Sequence, residues 1–199
     1  ALKQARLGSS VRYLSDTLKM EYVCIDRLEG DGLMAQTVAI YNNGSFETNV
    51  RYALKDTPCG EVVNRSVCCY RSGVRQLFPN DAALQDLNAE SYFGTTLLDS
   101  KGHAIGLIAI IGHQTFHDEW KAETLLKLVA PRAAGELERR EAENALKTTM
   151  EQVYISKVKA EESEAYFRII FENSAIGKSI TGMDGSLKTN KAFSTMLGY

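Results

Sequence analysis

The side chains with the greatest chemical reactivity in this chain are four cysteines, Cys24, Cys59, Cys68 and Cys69. Thiols act as nucleophiles, redox switches, metal ligands or disulfide partners. The spacing contains no Cys-x-x-Cys pair, and neighbouring residues of a strand point to opposite faces, so Cys68 and Cys69 suit neither a shared metal nor a simple disulfide. We interpret the four as reduced thiols that mostly fill a core.

Cys59 has the most distinctive local setting of the four. It follows Thr57-Pro58, a pair typical of a helix N-cap and first helical position. The dipole and free amides of a first turn lower a thiol pKa, so Cys59 could be a redox switch or could touch a ligand. The amides of Cys59 and Gly60 could also hold an anion. A buried structural thiol and capping of these amides by Thr57 are the simpler alternatives.

Hydrophobic periodicity predicts the elements that must position these residues. Leu7, Val11, Leu14 and Leu18 recur at helical spacing, and residues 45–56 are polar enough to be interpreted as a loop. The other predicted elements are strands at 21–28, 33–41, 67–70, 91–98 and 104–112, with Gly30-Asp31-Gly32 as the first hairpin turn, short helices at 57–65 and from about 79, and a long helix from about Asp118.

The long helix contains Pro131, where the loss of one hydrogen bond costs roughly 3 kcal/mol. We therefore expect a kink there or a break with a new helix. Beyond Arg139 the sequence is rich in Glu, Lys and Arg. Leu146, Met150 and Val153 fit heptad positions but Lys157 does not, which predicts at most a short, weak coiled coil.

Length and charge limit the classes of partner. The chain has 199 residues, 44% of them hydrophobic, and a net charge of −2. It is long enough for one domain and part of another, and its charge gives no basic surface for nucleic acid. No apolar run approaches the ~18 residues of a membrane span. We expect a cytoplasmic protein with no nucleic-acid partner, no membrane contact by these residues, and no catalytic or metal site.

Three sequence segments resemble the core motifs of GAF domains: Thr57-Pro58-Cys59, residues 90–94 (ESYFG), and residues 98–102 (LDSKG) leading into Ile105-Gly106-Leu107. The resemblance covers roughly residues 1–139. It implies an α+β fold, an antiparallel sheet flanked by helices, here followed by a long C-terminal helix. GAF domains are small-molecule or protein-interaction modules placed ahead of signalling enzymes. The family often has Pro where this chain has Thr96, which affects only the local strand geometry.

The resemblance also implies a ligand cavity bordered by the strand at 67–70. One of Tyr92 and Phe93 should face it and the other the core, because adjacent strand residues alternate. The cyclic-nucleotide and bilin motifs of the family are absent from residues 1–139, so the ligand and any cofactor are unknown. The candidate ligand contacts are Cys59, Cys68, Cys69, Tyr70, Tyr92 and Phe93.

Residues 163–199 resemble the N-terminal part of a PAS domain: a first helix at 167–174, a hairpin at 177–189, and a following helix from Asn190 to Tyr199. Residues 140–162 then form a helical signalling linker. GAF followed by PAS resembles the input half of bacterial sensor histidine kinases or of cyclic-di-GMP enzymes. We expect the natural chain to continue past Tyr199 towards such an output domain.

These resemblances predict a sensory or regulatory input fragment, most specifically of a two-component sensor histidine kinase. It would sense a small molecule or a redox signal and relay it through a dimeric helical linker. The alternatives are a thiol-based redox enzyme of the methionine sulfoxide reductase type using Cys59 or Cys69, a dimerisation scaffold with a collapsed cavity, and the input part of a cyclic-di-GMP enzyme. The predicted homodimer interface comprises Leu7, Val11, Leu14, Leu18, Ala133 and Leu137.

Overall fold

The computed structural model describes residues 2–30 and 32–198. Ala1, Asp31 and Tyr199, which the sequence analysis placed in the first domain, a hairpin turn and a terminal helix, lie outside these ranges. The chain divides into two compact units, Ala1–Ala142 and Glu143–Tyr199, and each is described by itself.

The first unit alternates helices and strands in the order that the sequence predicts. Its elements are α1 (Leu2–Leu18), β1 (Tyr22–Glu29), β2 (Met34–Asn42), β3 (Ser45–Phe46), β4 (Arg51–Ala53), α2 (Pro58–Arg65), β5 (Val67–Tyr70), α3 (Val74–Leu77), α4 (Ala82–Asp86), β6 (Ser91–Leu98), β7 (Ala104–Gly112) and α5, which begins at Glu119 and ends at Glu172.

The strands form one antiparallel sheet in the order β3-β2-β1-β7-β6-β5, with β4 paired to the other half of β2. The strands β1 and β7 therefore lie in the middle, although β2 to β6 and α2 to α4 separate them in sequence. Nearly every residue of β6 and β7 is buried, because helices cover both faces of the sheet.

Alternation along each strand divides the apolar side chains between two cores. Val23 and Ile25 of β1 belong to the core under α1 and α5. Cys24, between them, belongs to the core under α2, α3 and α4. A β-bulge after Ile25 shifts the pairing of β1 with β2. The side on which a residue lies therefore decides whether it packs against α5 or against α2.

Helix α2 is held at both ends. At its start the Thr57 hydroxyl accepts a hydrogen bond from the Gly60 amide at 3.2 Å, as the sequence predicts for an N-cap. At its end Thr96 of β6 donates twice, from its hydroxyl to the Val62 carbonyl and from its amide to the Ser66 carbonyl, both at 2.8 Å. Proline has no amide hydrogen, so the family's usual residue could not make the second contact.

Three sequence predictions about this unit need correction. Residues 45–56 are not a plain loop, because they contain β3 and β4, short strands that pair with β2. Helix α3 was not foreseen. Helix α5 continues through Pro131, so the predicted alternative of a break is wrong.

The apolar stripe assigned to a dimer interface is already buried within one chain. These side chains are at most 8% exposed and form part of the core between α1, the sheet and α5. Because these side chains are already covered within one chain, they offer no exposed apolar surface to a second chain. The residues concerned are Leu7, Val11, Leu14, Leu18, Ala133 and Leu137.

The second unit contains the rest of α5, the hairpin β8 (Ser179–Thr181) and β9 (Leu187–Thr189), and α6 (Lys191–Met196). Fully buried Asn190 connects them. Its amide donates to the carbonyls of Phe171 and Ile176 at 3.0 and 2.9 Å, and its carbonyl accepts from the amides of Lys178 and Phe193 at 2.8 and 3.0 Å. One side chain thus joins a helix end, the hairpin and the next helix.

Within the described ranges, no helix is both long enough and apolar enough to cross a bilayer.

Two glycines provide a test of this packing. A Cβ at Gly106 of β7 would lie 2.3 Å from the Asp26 carbonyl oxygen and 2.9 Å from Leu137, whereas a Cβ at Gly135 of α5 would meet nothing within 4 Å. Gly106→Ala should therefore lower the free energy of unfolding by about 3 kcal/mol. Gly135→Ala should raise it by about 1 kcal/mol through helix propensity. Urea denaturation of both variants checks this, and equal effects would contradict the close packing of β1 and α5 around Gly106.

Candidate functional site

Polar side chains converge inside the core between the sheet and α2. We call the group of Cys24, Asp26, Tyr52, Cys59 and Tyr92 the polar cluster. Its members come from β1, β4, α2 and β6, and Asp26 is fully buried. Buried carboxylates without a partner are rare in folded proteins, so this group is the first candidate for function.

The hydrogen bonds of the cluster leave one oxygen atom without a donor. Asp26 Oδ2 accepts from the Tyr52 hydroxyl at 2.8 Å and from the Cys24 thiol at 3.3 Å. The Tyr92 hydroxyl donates to Cys59 Sγ at 3.3 Å. Asp26 Oδ1 is buried and has no hydrogen-bond partner among the described residues. Asp26 Oδ1 can therefore accept a hydrogen bond from a bound molecule.

Burial raises the pKa of Asp26 from 3.8 to about 6. The hydrogen bonds from Tyr52 and Cys24 act in the opposite direction, because they stabilise the ionised form, but they do not compensate for the loss of water. Asp26 is therefore mostly ionised at neutral pH, with a proton affinity much higher than that of an exposed carboxylate.

The thiols of the cluster are protonated at neutral pH. Burial, reinforced by the charge of Asp26, raises the pKa of Cys59 to about 12. The same two causes raise the pKa of Cys24 well above its ordinary value. Of the two alternatives for Cys59, the structure therefore favours the buried structural thiol over a thiol activated by the helix dipole, because burial raises its pKa. The Gly60 amide is capped by Thr57, which leaves it unavailable for the suggested anion.

The predicted ligand contacts divide between the two faces of the sheet. Cys59 and Tyr92 belong to the polar cluster, and Cys68 lies in the same core. Half-buried Tyr70 packs against that core, with its ring 6.2 Å from the Tyr92 ring and 5.3 Å from the Phe78 ring. These four candidates are therefore brought together around one side of α2.

Cys69 and Phe93 lie on the opposite face. Phe93 is in the core under α1 and α5, and Cys69 packs against that core. The Cys69 thiol donates to Glu119 at 3.1 Å, and burial followed by this carboxylate raises the Cys69 pKa to about 12. The structure therefore does not bring these two residues to the polar cluster.

A groove of about 610 Å³ lies beside the cluster, over the first turn of α2. Leu54, Thr57 and Gly60 form one side of it, and Leu77, Phe78 and Pro79 another. Leu54 also belongs to the core that contains the cluster. The groove has the volume of a small-molecule site. Among the described residues that line the groove, none belongs to the polar cluster.

Sequence reasoning missed three members of the cluster. Cys24 and Asp26 are two residues apart in a strand, which places them on one face, and a lone carboxylate within a run of β-formers was the available signal. Tyr52 had no such signal, because it is separated from Asp26 by 26 positions and lies in a strand that was interpreted as a loop.

Among the described residues, no three His, Cys, Asp or Glu side chains converge as metal ligands.

No protein-family model and no curated protein sequence matches the chain. Solved structures share its fold at low identity. The GAF domain of an Acinetobacter phosphoenolpyruvate-protein phosphotransferase matches with a TM-score of 0.56 and 15% identity, over 72% of this chain and 86% of that one. A type II free methionine-R-sulfoxide reductase from Thermoplasma acidophilum gives 0.54 and 17%, over 69% and 94%. The GAF domain of A. aeolicus NLH2 in an inactive state gives 0.53 and 16%, over 69% and 85%.

These likenesses establish the fold alone. The antiparallel sheet flanked by helices, with its long helix, is GAF-like, which confirms the fold class predicted from the sequence. A reductase and non-catalytic domains share it, so function must be argued from the site.

The buried carboxyl predicts how stability depends on pH. The pKa of Asp26 is raised from 3.8 to about 6, so the folded state binds its proton more tightly than the unfolded state. Stability should therefore fall as the pH rises from about 4 to about 6, by about 3 kcal/mol in total. Asp26→Asn should lack this fall and be the more stable protein at pH 7.5. Urea denaturation between pH 4 and 8 measures it.

The matched control is Asp86→Asn, which removes an exposed carboxylate of α4 and should follow the wild-type pH profile. A wild type that gains stability over Asp26→Asn as the pH rises would show that the carboxylate has a stabilising partner.

Proposed function

We propose that residues 1–139 are a sensory or regulatory domain, residues 140–162 a helical signalling linker, and residues 163–199 the N-terminal part of a PAS-like domain. Together they would form the input region of a cytoplasmic signal-transduction protein, most specifically a two-component sensor histidine kinase. The GAF-like fold supports this assignment, as do the sequence motifs of both resemblances.

The observation that carries the proposal is the unpaired oxygen of buried Asp26. A buried acceptor without a donor costs about 1–3 kcal/mol, which a purely structural core would avoid. Its position beside a groove of about 610 Å³ favours a domain that binds a small molecule. The collapsed scaffold, which requires no such group, is disfavoured for the same reason.

A contiguous set of contacts could carry a change at the cluster to α5. Strand β5 borders the cluster through Tyr70 and pairs with β6 beside Tyr92. Just beyond β5, the Arg71 carbonyl accepts from the Phe116 amide at 2.8 Å. The Arg71 guanidinium holds both carboxylate oxygens of Glu119, one of them at 2.7 Å, and lowers the Glu119 pKa to about 2. The start of α5 is thus attached to the strand that borders the site.

The proposed homodimer would use the second half of α5 rather than the stripe at 7–18. Leu146, Met150 and Val153 occupy heptad positions and are 62–64% exposed. Parallel packing of this segment would allow a shift in one domain to reach the next.

A thiol-based reductase is the second candidate, because one structure of the same fold is a free methionine-R-sulfoxide reductase. Such chemistry needs a thiolate. Here burial raises the pKa values of Cys59 and Cys69 to about 12, so both thiols are poor nucleophiles at neutral pH. Turnover of methionine sulfoxide by the purified protein, lost in Cys59→Ser or Cys69→Ser, would favour the enzyme. The input part of a cyclic-di-GMP enzyme stays an alternative for the output.

The proposed relay can be tested at the start of α5. Glu119→Gln removes the charge that Arg71 and Cys69 both contact, so amide hydrogen exchange over residues 116–125 should become faster by about fivefold or more. Glu123→Gln is the matched control, because Glu123 lies on the same helix and its ion pair is with exposed Lys127, four residues further along α5. Equal exchange in the two variants would remove β5 from the relay.

A further inference from the structure

The hydrogen-bond directions around Asp26 define what could bind there. Tyr52 and Cys24 both point their hydrogens at Oδ2, so neither is offered to a ligand. The oxygen that is left, Oδ1, can only accept. A molecule that satisfies it must therefore bring a hydrogen-bond donor.

The charge of the surroundings selects among donors. The groups that face Asp26 are Cys24 of β1, Tyr52 of β4, Cys59 of α2 and Tyr92 of β6, and their pKa values are all raised, so they are neutral at pH 7. Lysine and arginine are absent from the described groups that set the Asp26 pKa. The cluster therefore carries one negative charge, which repels anions and attracts cations.

The remaining lining is aromatic. Tyr52 and Tyr92 belong to the cluster, Tyr22 precedes it on β1 and packs against the same core, and Tyr70 lies beside Tyr92. Phenol rings attract organic cations through their π faces, and a carboxylate among several rings is a composition suited to ammonium groups. A metal ion fits less well, because no three ligating side chains converge in the described part of the chain.

A ligand could reach the polar cluster from the groove if the segment between β4 and α2 moved locally. Leu54 contributes both to the groove and to the core of the cluster. The first turn of α2 sits directly on the preceding segment, since a Cβ at Gly60 would lie 2.4 Å from the Leu54 carbonyl oxygen. A ligand that enters from the groove would therefore have to displace residues 54–60, because no member of the polar cluster is among the described residues that line the groove, and this favours a compact head group.

We propose that the polar cluster binds a small organic cation, an ammonium or amidinium group on a compact molecule, with Asp26 as its counter-charge and the neighbouring tyrosines as its aromatic wall. The proposal rests on the sensory function proposed above and names the class of its ligand. The same charge disfavours an anionic group at this cluster.

The test uses methylammonium, tetramethylammonium and guanidinium chlorides as probes at pH 8, where Asp26 is ionised, with sodium chloride and sodium acetate at equal ionic strength as references. Isothermal titration calorimetry and thermal unfolding of the 199-residue protein measure binding. At least one organic cation should bind and raise Tm at low concentration, and acetate should do neither. Asp26→Asn should weaken that cation at least about tenfold, which is the loss expected for a buried counter-charge. Asp86→Asn should leave it unchanged.

Tyr52→Phe keeps the result decisive if Asp26→Asn folds poorly. It retains the ring and the carboxylate but removes one donor to Oδ2, so the cation should bind as tightly as in the wild type or about two- to threefold more tightly. Weaker binding in Tyr52→Phe, unchanged binding in Asp26→Asn, preference for acetate, or no binding of any of the three cations would each overturn the proposal. In any of those cases the faster amide exchange over residues 116–125 expected for Glu119→Gln would still be measured independently, so the proposed relay is tested by its own experiment.

Discussion

Successive side chains of β1 point to opposite faces of the sheet, and this alternation determines which residues reach the polar cluster and which pack against α1 and α5. Because helices cover both faces of the sheet, most residues of the middle strands are buried, and alternation assigns the buried apolar side chains to one of two cores. Val23 and Ile25 secure α1 and α5, whereas Cys24 and Asp26 are directed at α2. Strand β1, against which α5 packs, therefore also holds the buried carboxylate. A shift of this strand would affect both the α5 core and the polar cluster.

The cost of that carboxylate is balanced by the cores around it. Burial of an ionised group with one unpaired oxygen opposes folding, while full burial of Val23, Ile25, Ile108 and Ile110 next to it favours folding by roughly 1.5–3 kcal/mol for each side chain. Glycine at position 106 of β7 lets α5 approach the sheet closely. A tightly packed opposite face thus allows the α2 face to retain a polar group that does not stabilise the domain.

Local sequence patterns predicted the framework better than the site. The Thr57-Pro58 cap, the strand pairs on either side of residues 30–32 and 99–103, and the start of α5 near Asp118 depend on neighbouring residues, and all are found. Strands β3 and β4 were missed because their partner is β2, and short polar strands carry little periodicity. For Cys59 the sequence left a reactive thiol and a buried structural thiol open, and only the whole fold, through burial, favours the second. The sequence alone could not show which ligand candidates lie on which face of the sheet, because this depends on how the strands are placed.

The central claim is that Asp26 is ionisable, buried and without a counter-charge. The most direct measurement is a ¹³C NMR titration of its carboxyl carbon, assigned by the signal that disappears in Asp26→Asn. A transition with a midpoint near pH 6, well above the ordinary 3.8, is the predicted result. A midpoint at or below about 4 would show that water, a basic partner or a further hydrogen-bond donor reaches the carboxylate, because each of these stabilises the ionised form. That outcome would contradict the account of the site.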